Sequence, residues 1–243
     1  MEILNSIDYQ EELEIMEMHK RQRDLHLVLT PVCYVTLEVL DKDNNAISLY
    51  KDRSKSWVRN FYNWMVTQQM TCNSNALGTT YGEGTIAARN TGGTVRQATT
   101  PHHHLIANNG TGFAGYRAAS ADATAGIQIG TGTTAETFES HVLTTLIANG
   151  TGAGQMQYQE MAQPIPVWNS STKKMTLTLT RQIVNNSGNA IGVNEIGLVS
   201  RHTWGSSASD LCLVARDKLN TTVNVPHQGQ LVATYTLEIT YPV

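Results

Sequence analysis

The run Val193-Asn-Glu195-Ile-Gly-Leu198 sets a carboxylate inside an apolar stretch, where a strand would bury it. A buried, ionised carboxyl must either take up a proton, which suits acid or base chemistry, or find a cation. Arg216 and Arg181, each in a neighbouring strand-like run, are the cations at hand. No histidine or nucleophile is placed beside Glu195, so a structural ion pair with Arg216 or Arg181 is expected rather than a general base.

Two further patterns could carry chemistry. Gly110-Thr-Gly112-Phe-Ala-Gly115 has the spacing of a dinucleotide phosphate loop, with Glu136 about where the ribose-binding acid would stand. Such a loop follows a buried strand, but here Leu105-Ile106-Ala107 runs straight into Asn108 and Asn109. The phrase also recurs as Leu146-Ile-Ala-Asn-Gly-Thr-Gly152 without its third glycine. The shared element, LIAN-(N)-GTG, is a strand end entering a glycine turn, and no cofactor is expected. His102, His103 and His104 stand in a row after Pro101. Adjacent residues of an extended chain point in different directions, and no Cys or carboxylate follows at ligand spacing, so a surface loop is expected and no metal. An interchain site on a symmetry axis is the alternative. GxSxG, HExxH and DxDxDG are absent, and carboxylate pairs such as Glu11–Glu12 fall on a charged helix. The chain reads as no enzyme.

The composition fits that reading. Charged residues are 15% of the chain with a net charge of −3, against about 25% in a typical soluble domain. No global field is available to draw in nucleic acid or an acidic membrane. No apolar run reaches the length of a membrane span, and the acidic N-terminus has no signal-peptide core. Cys33, Cys72 and Cys212 form no CxxC pair and read as free thiols of a reducing cytoplasm, with Cys33 and Cys212 in core runs.

These residues need strands to hold them, and the chain supplies strands. Residues 1–30 read as a helical arm: Asp8 and Glu11 can form a capping box, acids precede bases in keeping with the helix dipole, and Leu13 and Met16 belong to a narrow apolar stripe. Residues 31–243 read as one β domain. Cys33, Val35, Leu37 and Val39 share a strand face, Asp41–Asn45 turns the chain, and Ile47 and Leu49 are expected to face inward on the return. Trp57, Val58, Phe61, Tyr62, Trp64 and Met65 give residues 54–70 an amphipathic helix that covers a sheet. Residues 71–155 form a Gly/Thr-rich insertion of long loops and short strands. Alternation then returns at Met175, Leu177, Leu179 and Ile183, interrupted by an inward Arg181, and again from Leu231 to Tyr241. The fold class is mainly β, an antiparallel β-sandwich or jelly-roll-like core with an N-terminal helical arm.

Gly130-Thr131-Gly132, Ser187-Gly188, Glu195, Gly197-Leu198 and Arg216-Asp217 carry a resemblance to structural proteins of tailed-bacteriophage virions, over about Gly126 to Tyr241. In that family a GTG turn, a second glycine turn and an N-x-S-G…E-I-G-L strand pair recur. The resemblance implies a virion component assembled in the host cytoplasm, most simply a head-associated decoration, cement or neck protein, with copies of itself and other virion proteins as partners. A tail, baseplate or fibre component that binds a receptor or glycan is the alternative. Interface candidates are Leu13, Met16, Trp57 and Phe61 for assembly, and Trp168 and Trp204, beside Ser/Asn-rich turns, for a glycan. The arm and both LIAN-GTG loops are expected to order on partners rather than on their own β domain, because glycine-rich chain is costly to fix.

Overall fold

The computed structural model describes residues 1–5, 13–14, 17, 32–69, 87–97, 115–161, 164–204 and 208–241. The capping pair Asp8 and Glu11, Met16, Cys72, His102–His104, and Gly110 and Gly112 lie outside them. The described chain is mainly β, and its sheets are antiparallel apart from one edge pairing.

The large sheet runs in the order β1 (Glu2–Asn5), β3 (Ala46–Arg53), β2 (Val32–Leu40), β12 (Gln230–Thr240), β9 (Lys174–Val184) and β7 (Gln157–Tyr158). A further strand, β8 (Val167–Asn169), pairs the start of β9. The small sheet is β11 (Ala208–Val225), β10 (Ile191–Trp204) and β6 (Gly126–Gly130). A hairpin of β4 (Ala87–Arg89) and β5 (Val95–Gln97) stands apart, beside helix α1 (Arg59–Gln69).

The alternation in the strands decides what lies between the sheets. Leu37, Val39, Leu179, Ile183, Leu231 and Tyr235 from the large sheet join Ile127, Ile129, Val193, Ile196, Leu198 and Val214 from the small one in a single buried cluster. Each such side chain contributes about 1.5–3 kcal/mol of transfer free energy. From Glu195 to Ser200 every residue of β10 is buried, because both sides of that stretch are covered. On one side lies the core, and on the other lie Leu143 and the segment around it.

Three expectations are corrected. On β3 it is Ser48 and Tyr50 that are buried, while Ile47 is exposed and Leu49 half-buried. A register shift between Val39 and Leu40 moves the pairing by one residue, and that exchanges the two faces. The helix starts at Arg59 rather than Ser54, and its buried face carries Asn60 and Asn63 beside Trp64, with Tyr62 exposed. The Asn60 amide donates to the carbonyls of Arg89 and Leu213, and the Asn63 amide to that of Ala87. These bonds satisfy strand carbonyls that an all-apolar face would leave unpaired. The N-terminal arm is not wholly helical: Leu13, Glu14 and Glu17 have helical backbone, but Glu2–Asn5 is a strand on the free edge of β3.

Candidate functional site

Glu195 stands on β10 between Gly130 of β6 and Lys218 of β11, and Arg216 lies diagonally across the same face of the sheet. Glu195 is fully buried, and Arg216 is 3% exposed. The Arg216 Nε donates to Glu195 Oε2 at 2.8 Å. The same carboxylate accepts the backbone amides of Thr145 (2.8 Å), Thr144 (3.1 Å) and Gly132 (3.2 Å). The guanidinium donates to the carbonyls of Thr134 (2.8 Å) and Ala135 (3.3 Å) and to the Thr144 hydroxyl. One ion pair therefore ties down both ends of the loop that runs from Gly132 to Thr145. A carboxylate holding four donors is committed to that loop and has no lone pair set aside for a substrate proton.

The glycines of the GTG turn follow from this packing. A Cβ at Gly132 would lie 2.3 Å from Glu195 Oε1, and one at Gly130 would lie 2.6 Å from it. Both backbones must come this close for the carboxylate to reach the loop amides.

Arg181 does not join the pair. It lies on β9 of the large sheet, where its side chain turns into the core and hydrogen-bonds no carboxylate, although the nearby Asp122 charge favours its protonated form. Its guanidinium makes five hydrogen bonds, all to backbone carbonyls: Gln159, Ala125, Ile127, Ala119 and Asp122. It also lies over the Tyr158 ring, 4.7 Å from the centroid. Burial lowers its pKa to about 10, so it stays charged at neutral pH. The carbonyls concentrate on the stretch from Ala119 to Ile127, so Arg181 is the template on which that chain enters β6.

Asp217, next to Arg216 on β11, points the other way, as strand alternation requires. Its carboxylate accepts the Ser54 hydroxyl (2.7 Å), the amides of Lys55 (3.1 Å) and Ser56 (3.2 Å), and the Tyr235 hydroxyl (3.2 Å). It thus fastens the connection between β3 and α1 to both sheets. Burial outweighs these donors and pushes its pKa up to about 6. A polar cavity of about 120 Å³ opens beside it, lined by Tyr50, Asp52, Glu136 and Lys218 among others. That is well below the roughly 300–1,000 Å³ of small-molecule sites.

The raised pKa gives a signed prediction. Above pH 6 the folded state carries the costly carboxylate. As pH falls from 6 towards 4 the folded state takes up its proton before the unfolded state does, so this group adds stability on acidification. Against Asp217→Asn, the wild type should gain up to about 3 kcal/mol between pH 7 and pH 4. Urea unfolding of both proteins across that window measures the difference, and a constant difference would refute the assignment.

The remaining motif residues also build turns. The Asn185 side chain, fully buried, accepts from the Ser187 amide and hydroxyl and donates to the carbonyls of Asn189 and Val225. Gly188 has φ +90°, which favours glycine, and its amide donates to His227 Nδ1 of the facing turn. The second LIAN-GTG phrase is packed on its own domain, contrary to expectation: Ile147 is 2% exposed, and its amide donates to the Ile129 carbonyl. The first phrase is described only at Gly115, which bridges Arg201.

Among the interface candidates, Trp57 and Phe61 pack on the chain's own core and Leu13 is half-buried. Trp168 is 44% exposed and stands edge-on to Tyr241, with ring centroids 5.1 Å apart. Trp204 ends β10, and its side chain lies outside the described set. Cys33 and Cys212 are buried free thiols whose pKa values burial raises. Among the described residues no three His, Cys, Asp or Glu side chains gather as a metal site, and no helix is long and apolar enough to cross a membrane.

No family model, curated protein or solved structure matches the chain.

Proposed function

We propose that the protein is a non-enzymatic structural component of a tailed-phage virion, head-associated as decoration, cement or neck protein, with its two sheets facing as a β-sandwich. The observation that supports this reading is the clamp. Gly130, Gly132, Glu195, Gly197 and Arg216, which carry the family resemblance, all serve to pin one surface loop against the small sheet. A Cβ on Gly197 would meet Leu143 Cδ2 of that loop at 2.8 Å. This buried ion pair thus goes into rigidity, as a subunit that must present a fixed surface requires. Quantitative mass spectrometry of purified virions tests the reading: the chain should be present in many copies per particle, and its absence would overturn the proposal.

The exposed Trp168 favours one other reading, a tail or fibre component that stacks a glycan on this ring. In that case Trp168→Ala would abolish adsorption to host cells and leave particle assembly intact.

A further inference from the structure

We propose that copies of this chain join head to tail, with the aromatic edge at Trp168 of one copy seated on the loop crest at Phe138 of the next. This deepens the assembly role proposed above and rests on it only for the setting. The contact itself is a property of the purified chain.

Two unlike apolar patches stand on different parts of the fold. The first is the far end of the large sheet, where Trp168 (44% exposed) stands against Tyr241 (41%) on one face of β8, and Val167 (64%), with Ile165 (79%) before it, is exposed on the other. Among the described residues β8 pairs only with β9, so its outer edge offers free backbone donors and acceptors. The second patch is the crest of the clamped loop with the helix beside it. Tyr62 (46%) and Phe138 (45%) are in contact, their centroids 5.6 Å apart, and Val142 (39%) and Leu146 (38%) follow on the same segment. Exposed large apolar side chains grouped in this way mark interaction surfaces.

Charge selects the partner. Glu136 and Glu139 flank Phe138, Glu139 ion-paired with Arg59 and Glu136 accepting the Ser56 hydroxyl. The Trp168 edge instead has Lys173 and Lys174 five and six residues on, Lys173 exposed and Lys174 ion-paired with Glu238. With those two ion pairs set aside, a two-fold contact of either patch with itself would bring Glu136 towards Glu136 or Lys173 towards Lys173. A contact between the two patches brings acid to base, and being heterologous it leaves one free patch at each end for further copies. The crest is also cheap to dock on. Glu195 and Arg216 already fix its backbone, and Arg59, bonded to Glu139, lies 4.7 Å from the Phe138 ring centroid, so little freedom is left to lose on binding.

Sedimentation velocity on the purified full chain tests the inference. The wild type should form oligomers that grow with concentration and weaken as salt is raised. Trp168→Ser and Val142→Lys, one in each patch, should each leave a single copy with an unchanged far-ultraviolet spectrum. Mixed together, these two variants should form a one-to-one dimer and nothing larger, because one intact patch remains on each. Lys173→Glu alters only an exposed charge and should weaken assembly about tenfold at low salt. A wild type that stays a single copy throughout would overturn the inference, as would variants that assemble like the wild type or fail to combine with each other. Failure here leaves the virion reading standing, and absence from virions leaves the self-contact standing.

Discussion

Replacing Glu195 with alanine is expected to cost about 3–5 kcal/mol of folding stability, the range for removing one partner of a buried pair. Arg216 would be left buried without its counter-charge, and the amides of Gly132, Thr144 and Thr145 would lose their acceptor. For a chain of this length that lowers the melting temperature by about 6–20 °C. Calorimetry and urea unfolding read the loss, and hydrogen exchange locates it: protection should fall first at Thr144 and Thr145. Gly132→Ala places a Cβ against the same carboxylate and should be destabilising alone, by about 1–3 kcal/mol. In the double variant the clash with Glu195 is gone, so the two costs should add to less than their sum. A loss below about 1 kcal/mol for Glu195→Ala, the range of exposed pairs, would show that the carboxylate reaches water.

Arg181→Met is expected to be as damaging, about 3–5 kcal/mol, although Arg181 makes no hydrogen bond to a carboxylate. Methionine fills much of the space but donates nothing, so five carbonyl contacts are lost in a site that excludes water. Arg181→Lys should recover only part of the stability, because three donors on a flexible stem cannot reproduce the planar fork. Urea midpoints for the three proteins should rank arginine, then lysine, then methionine. Equal midpoints for lysine and arginine would mean that charge alone matters at this position.

What could be read from residues alone divides along physical lines. Strands with one face in the core show it by alternation, so β2, β9 and β12 were legible, as was the burial of Glu195 within an apolar run. β3 was legible as a strand but not in its facing, because the bulge opposite Leu40 has no residue signature. Arg181 read as inward, yet its partners are backbone carbonyls, which any residue supplies, so nothing in the sequence distinguishes them from a carboxylate. The latch role of Asp217 was available in principle. A second charged residue directly after Arg216 on a strand must face the opposite side, and it needs donors there. The packed second LIAN-GTG loop was missed because glycine-rich composition speaks of backbone entropy and not of Ile147 and Tyr158 beneath it.

The position of β12 also governs the order in which the fold can form. It is the last of the described strands in sequence order, yet it lies in the middle of the large sheet, between β2 and β9. During synthesis β2 and β3 can pair as a hairpin, but the edge of β2 has no partner until nearly two hundred further residues have been made. Closure over such separations is slow, and two unpaired strand edges wait through it. A nascent chain stalled before Gln230 would present β2 and β9 as open templates for other chains, so the two edges are safe from such pairing only once β12 itself has been made and has emerged from the ribosome.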